Sequence, residues 1–176
     1  VESVAREATP ANTERALAAR LHHALQKRGL ESPVVLVGGT ERVGRYRHFT
    51  PTDTPVGPYA VLTVVGARYG LHAAVTRTVA FGDAPDWLEG RYAEVASVAA
   101  TAAEATHRYG VRGGTIGDVF EAIRTAYENL GYRDEWQTHH QGGALGYATR
   151  EWIATPGQET EIELPMVFGW NPAVDG

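Results

Sequence analysis

The chain contains no cysteine. That excludes disulfides, thiolate nucleophiles and cysteine-ligated zinc together. It also lacks a basic surplus: 16 Lys and Arg stand against 21 Asp and Glu, a net charge of −5. Nucleic acid and anionic membrane both require a basic face, so neither is expected as a partner. No apolar run is long enough to span a bilayer, and no signal peptide opens the sequence. The cytoplasm is therefore the default location. An HExxH zinc motif is missing as well.

What is present suits one soluble domain. The 176 residues are 43% hydrophobic and 21% charged. Leu17, Leu21 and Leu25 form an i, i+4 stripe, which predicts a helix over about 12–28, capped by Asn12 or Thr13 and ended by Gly29. The run PVVLV over 33–37 reads as a buried strand. Residues 41–58 are polar and rich in turn formers. Two strands, 59–65 and 71–81, joined by a turn at Gly66 to Gly70, suggest a hairpin. An alanine-rich helix is expected over 86–109, closed by Gly110. A second helix opens at Thr115, with Asp118 three residues on as a capping-box variant. Strands and loops follow, punctuated by Gly142, Gly143, Gly146, Pro165, Gly169 and Pro172. This order gives an α+β class.

Three polar clusters could carry chemistry. The first is Arg45-Tyr46-Arg47-His48. On its own, His48 is an ordinary loop histidine and the arginines are solvated charges. The second is His72 with Arg77, but their odd separation puts them on opposite faces of a regular strand. Arg77 then reads as the partner of a carboxylate. The third is His139-His140-Gln141-Gly142-Gly143, followed by Arg150-Glu151. Adjacent histidines on a strand cannot both face one pocket, and their spacing is poor for a shared metal ion. Glycines at 142 and 143 would let backbone approach a ligand closely. His22 and His23, in mid-helix, read as surface or packing residues.

The segment from Tyr59 to Gly82 resembles the hairpin of the pita-bread superfamily, which includes methionine aminopeptidase, Xaa-Pro peptidases and creatinase. Thr76-Arg77-Thr78 and Gly82 match its pattern, and two helices follow in the same order. Gly142-Gly143-Ala144-Leu145-Gly146 is similar to the family's Gly-His-Gly-x-Gly loop, Arg150-Glu151 to its later His-Glu pair, and Trp170-Asn171-Pro172 to its Glu-Pro turn. The resemblance implies a pita-bread fold, a curved antiparallel sheet with helices on its outer face, over residues 1–176. It also implies a last strand beyond Gly176, an N-terminal neighbour domain and a homodimer.

The departures fall on the metal ligands. The resemblance puts the two metal aspartates at Thr63 and Ala74, the metal histidine at Gly143 and the first metal glutamate at Asn171. None of the four offers a carboxylate or an imidazole, and a dication needs several of these. The expectation is therefore no metal site, no cofactor and no ordinary aminopeptidase mechanism. Creatinase resembles this chain in carrying Ala at the second aspartate position, and it uses a histidine base whose position falls near His48. The resemblance thus makes His48 a candidate base, with His139 or His140 polarising or donating. Substrate would be held by His72, Gln141, Arg150, Glu151 and Asn171, with Arg150 gripping a carboxylate. The predicted function is a metal-independent hydrolase acting on a small amino-acid-like or peptide-like substrate. The alternatives are a non-catalytic binding module and a metallopeptidase with shifted ligands.

Overall fold

The computed structural model describes residues 1–163 and 165–174. The chain forms two compact units, Val1–Pro85 and Asp86–Gly176.

The first unit opens with a short helix not expected from the sequence, α1 (Glu2–Arg6), followed by α2 (Glu14–Gln26). Thr13 caps α2, its hydroxyl accepting from Ala16 N at 3.1 Å. Gly29, at φ 70°, lets the chain leave the helix in the left-handed region. A three-stranded antiparallel sheet then forms in the order β1 (Glu31–Gly39), β2 (Tyr59–Arg68), β3 (Leu71–Ala80), with the one-turn α3 (Thr40–Val43) after β1. Leu17, Ala18 and Leu21 of α2 pack with Val37, Ala60, Leu62 and Val64 of the sheet. Alternation does the rest: Val64 pairs with Val75 and Ala60 with Val79, so one face of the hairpin is apolar and buried.

The hairpin turn is tighter than the sequence suggested. Pairing continues unbroken to Arg68 opposite Leu71, leaving only Tyr69 and Gly70 between the strands. Both have positive φ, 54° and 83°, the geometry that matches strand twist in two-residue hairpins. Gly66 is a strand residue instead, and a side chain on it would press within 3.3 Å of Leu30.

The second unit holds two helices and a small sheet. Helix α4 (Asp86–Arg112) runs three residues past its expected end. Gly110 does not close it. The glycine lies inside the helix, where Ile162 Cγ2 would sit 3.2 Å from an added Cβ, and the chain breaks at Gly113 with φ 77°. Helix α5 (Ile116–Asn129) starts with a full capping box: Thr115 Oγ1 accepts from Asp118 N, and Asp118 Oδ2 accepts from Thr115 N at 2.8 Å. These bonds stabilise ionised Asp118 and hold its pKa below the ordinary value. Val98, Ala102 and Ala105 of α4 meet Ile116, Val119, Phe120, Ile123 and Tyr127 of α5 in the core.

The sheet runs β5-β4-β6: Trp152–Ile153, Gly142–Leu145 and Val167–Trp170, all antiparallel. Residues 142 and 143 are thus strand, where a glycine loop was expected. Their strand is central and buried. Phe168 stacks on Trp170 at 5.8 Å, Trp152 meets Phe168 edge-on, and Trp170 Nε1 donates to Thr106 Oγ1 at 2.9 Å.

Candidate functional site

The β-strand order puts Gly143 of β4 opposite Gly169 of β6, and Gly142 opposite Trp170. Asn171, the residue after β6, is fixed by its backbone N–H donating to Gln141 O at 2.9 Å. This brings the segments 139–141, 149–151 and 169–171 of the second unit together.

Arg150 is the cation of this group. Its Nη1 donates to Thr149 O at 2.8 Å, and its Nη2 donates to Asn171 Oδ1 at 2.9 Å. Its Nε is buried and has no partner among the described residues. No carboxylate pairs with it among the described residues. Burial of the half-buried guanidinium lowers its pKa from the ordinary value, because desolvation disfavours the charged form. A guanidinium stays protonated near neutral pH regardless. Among the described residues, this desolvated positive charge is met only by neutral oxygens.

Asn171 is the hinge of the group. Its Oδ1 receives Arg150 and its Nδ2 donates to His140 O at 3.0 Å. His139 Nε2 lies 2.9 Å from Asn171 O, and its Nδ1 lies 3.3 Å from Thr138 Oγ1. A carbonyl only accepts, so the Nε2 nitrogen carries the proton there. His139 and His140 lie in an irregular stretch after the 3-10 turn Glu135–Gln137, so strand alternation does not decide which of them faces a ligand.

Gln141 is almost fully buried, with 1% exposure. Its Nε2 donates to Trp136 O and His139 O, both at 3.1 Å, and its Oε1 accepts from Tyr127 Oη at 2.9 Å. The Tyr127 hydroxyl also receives Ala173 N at 3.0 Å. Tyr127 lies among the aliphatic core positions of α5, and a tyrosine in such a row is the one sequence hint that its hydroxyl has a partner there. Glu151 closes the turn before it, its Oε1 accepting from Tyr147 N at 2.6 Å and Ala148 N at 3.1 Å.

His48 and His72 belong to the first unit. His48 is exposed on the loop after α3, next to buried Phe49, whose ring fills the space where a side chain at Gly38 would be. His72 is half-buried on β3, opposite Ala67. Arg77 pairs with Glu2 Oε1 at 3.2 Å, the carboxylate partner expected of it.

The loop carrying His48 is pinned by a residue that the sequence reading passed over. Glu14, at the start of α2, is fully buried. It accepts from Gly39 N at 2.9 Å, Thr52 N at 2.9 Å and Thr52 Oγ1 at 2.7 Å, and forms an ion pair with Arg42. Burial alone would raise its pKa, but the donors from Gly39 and Thr52 and the charge of Arg42 outweigh it and hold the carboxyl below its ordinary value. In sequence, a glutamate at the first turn of a helix looks like an ordinary dipole residue.

The four positions that the resemblance assigns to metal ligands do not fit a dication. Thr63 Oγ1 lies 2.9 Å from Thr76 Oγ1, its cross-strand partner. Ala74 is an exposed methyl group. A Cβ at Gly143 would fall 2.1 Å from Trp152 O, so an imidazole has no room there. Asn171 is committed to Arg150 and His140 O. Among the described residues, no group of three or more His, Cys, Asp or Glu could hold a metal ion.

A model of metallopeptidase family M24 matches residues 1–175. No curated protein is detectably similar in sequence. Among solved structures, prolidase from Pyrococcus furiosus superposes with a TM-score of 0.80 at 19% identity, covering 95% of this chain and 49% of its own. X-Pro aminopeptidase from Thermotoga maritima gives 0.82 at 19% identity, covering 99% and 50%. Methionine aminopeptidase from Rickettsia prowazekii gives 0.75 at 16% identity, covering 95% and 70%. The chain spans about half the length of the first two. No helix among the described residues is long and apolar enough to cross a membrane.

Proposed function

The chain belongs to metallopeptidase family M24 and has its pita-bread fold, and from that premise we propose that it is a metal-independent hydrolase acting on a small amino-acid-like or peptide-like substrate that bears a carboxylate. The observation that carries this reading is Arg150. A guanidinium that is desolvated, oriented at both Nη atoms and unmatched by any carboxylate among the described residues is prepared for an anionic ligand. A substrate carboxylate supplies the missing charge, and little ordering is needed because the fork is already held.

His48 acts as general base in this reading. His48 is open to solvent, and imidazole is the side chain best suited to proton transfer with water. The hydroxide adds to the substrate's C–N carbon, the C–N bond breaks, and the proton passes to the departing nitrogen. His139, which presents a protonated Nε2, serves as a donor rather than a base.

A second reading, a ligand-binding domain without turnover, has its own support. His139, Gln141 and Glu151 all spend their polar atoms on backbone or on Tyr127. One experiment addresses both. Purified protein is analysed for metals, then titrated with small carboxylates in chelator, and dipeptide turnover is measured for wild type, R150A and H48A. Chelator-resistant turnover lost in H48A supports the hydrolase. Carboxylate binding lost in R150A without any turnover leaves the binding domain. Stoichiometric metal returns the chain to the metallopeptidases.

A further inference from the structure

Gly169 is not among the glycines with positive φ. Backbone freedom is therefore not the reason for a glycine in β6. Space is. A Cβ placed there would lie 2.9 Å from Leu145 Cδ1 and 3.2 Å from Arg150 Nη1. Leu145 is in β4, opposite Val167, and Arg150 follows the turn after β4. Both side chains bend over the bare backbone of residue 169, and the guanidinium comes to rest there with Nη2 on Asn171, two residues further along.

We infer that Gly169 is the positioning residue for Arg150: it leaves the hollow in which the guanidinium lies, and so sets the site's preference for carboxylate ligands. This inference rests on the carboxylate reading of Arg150 given above and names the residue that makes it possible. The three restraints are of different kinds. Thr149 O and Asn171 Oδ1 fix the two Nη atoms by hydrogen bonds, and Gly169 fixes the height of the plane above the sheet by leaving it unobstructed. A methyl group at 169 removes the third. The atoms it meets belong to side chains, the guanidinium of Arg150 and the end of Leu145, and not to backbone, so the strand can stay while the guanidinium moves. Hydrogen bonds to a charged group weaken steeply with misplacement.

The test uses the full chain in chelator, with N-acetylglycine and its neutral amide as probes. The variants are R150A, G169A and the double variant G169A/L145A, with R150K used to assign the Arg150 Nε–H signal in nitrogen-edited NMR. The nitrogen that carries this proton is shielded from water. In G169A the Arg150 signal is expected to shift, and the preference for N-acetylglycine over the amide to fall about tenfold or more, with the fold kept. G169A/L145A relieves the contact with leucine but not that with arginine, so both effects persist. An unmoved Arg150 signal in G169A, or recovery of both effects in G169A/L145A, overturns the inference, because the glycine would then serve Leu145 alone. If R150A keeps the carboxylate preference, the anchor reading itself fails, and the NMR shift still decides whether Gly169 seats the side chain.

Discussion

Arg150 Nη2 donates to Asn171 Oδ1 at 2.9 Å, at the position where the resemblance to pita-bread enzymes puts a metal glutamate. An amide oxygen orients the guanidinium without neutralising it. N171D keeps the shape of the side chain and sets a negative charge against Arg150, while also deleting the Nδ2 donor to His140 O. The ion pair then satisfies the cation internally. Affinity for N-acetylglycine should fall about tenfold or more, since a carboxylate ligand would have to compete with a tethered one. Calorimetric titration reads this directly, and equal affinity in N171D and wild type would remove Arg150 from the site.

Glu14 offers a test in the first unit. Its carboxylate ties the start of α2 to the end of β1, to α3 and to the loop that carries His48. E14A leaves Arg42 and three donors without their acceptor, and should cost about 3–5 kcal/mol in denaturant unfolding. The pH dependence has a definite sign. The folded pKa lies below the ordinary 4.5, so ionised Glu14 stabilises the fold above that value. This stabilisation drains away as pH falls below about 4.5 and is gone below the lowered folded pKa. The acid-induced loss should be smaller in E14Q, which has no carboxyl to protonate. Superimposable pH–stability curves would show that Glu14 is not linked to folding.

Sequence periodicity made the frame legible for physical reasons. The stripe of Leu17 and Leu21, the two strands of the hairpin and the Thr115–Asp118 box are local patterns, and each forms as expected. What stayed hidden depends on distant partners. Glu14 meets Thr52 across 38 positions, and Tyr127 meets Ala173 across 46. Neither contact leaves a mark on its neighbours in sequence. The same holds at the site. Arg150 and Asn171 could be singled out by type, but the role of Gly169 follows from what lies above it, and the engagement of Gln141 and Glu151 follows from backbone groups that no motif records.

Tyr127 joins helix α5 to both flanks of the site through one oxygen. Its one proton is shared between two acceptors, Gln141 Oε1 at 2.9 Å and Ala173 O at 3.0 Å, and its oxygen accepts from Ala173 N at 3.0 Å. Y127F keeps the ring and deletes the hydroxyl. Buried Gln141 Oε1 and the half-buried N–H and C=O of Ala173 lose this partner, and the expected loss is about 2 kcal/mol. Because Gln141 also holds the backbone of His139, the loosening should reach the 139–141 segment, seen as faster amide exchange there than in α4. Unchanged protection at 139–141 would confine Tyr127 to ordinary packing.

Restoring the family's histidine should fail for a steric reason before any question of ligand number arises. At Gly143 an added Cβ would meet Trp152 O at 2.1 Å and Ile153 Cα at 3.0 Å. These are backbone atoms of β5, which cannot rotate aside as a side chain could. G143H must push β5 away from β4, disturbing the pairing of Gly143 with Ile153 and the bond from Ala154 N to Gly142 O at 2.9 Å. The expected cost is about 3 kcal/mol, at the upper end for overpacking. Metal affinity should not appear, because Asn171 remains engaged with Arg150 and contributes no carboxylate. Zinc or manganese titration of G143H checks the second half. A stable variant that binds either ion tightly would mean that β5 yields easily and that the site needs only its ligands to hold metal.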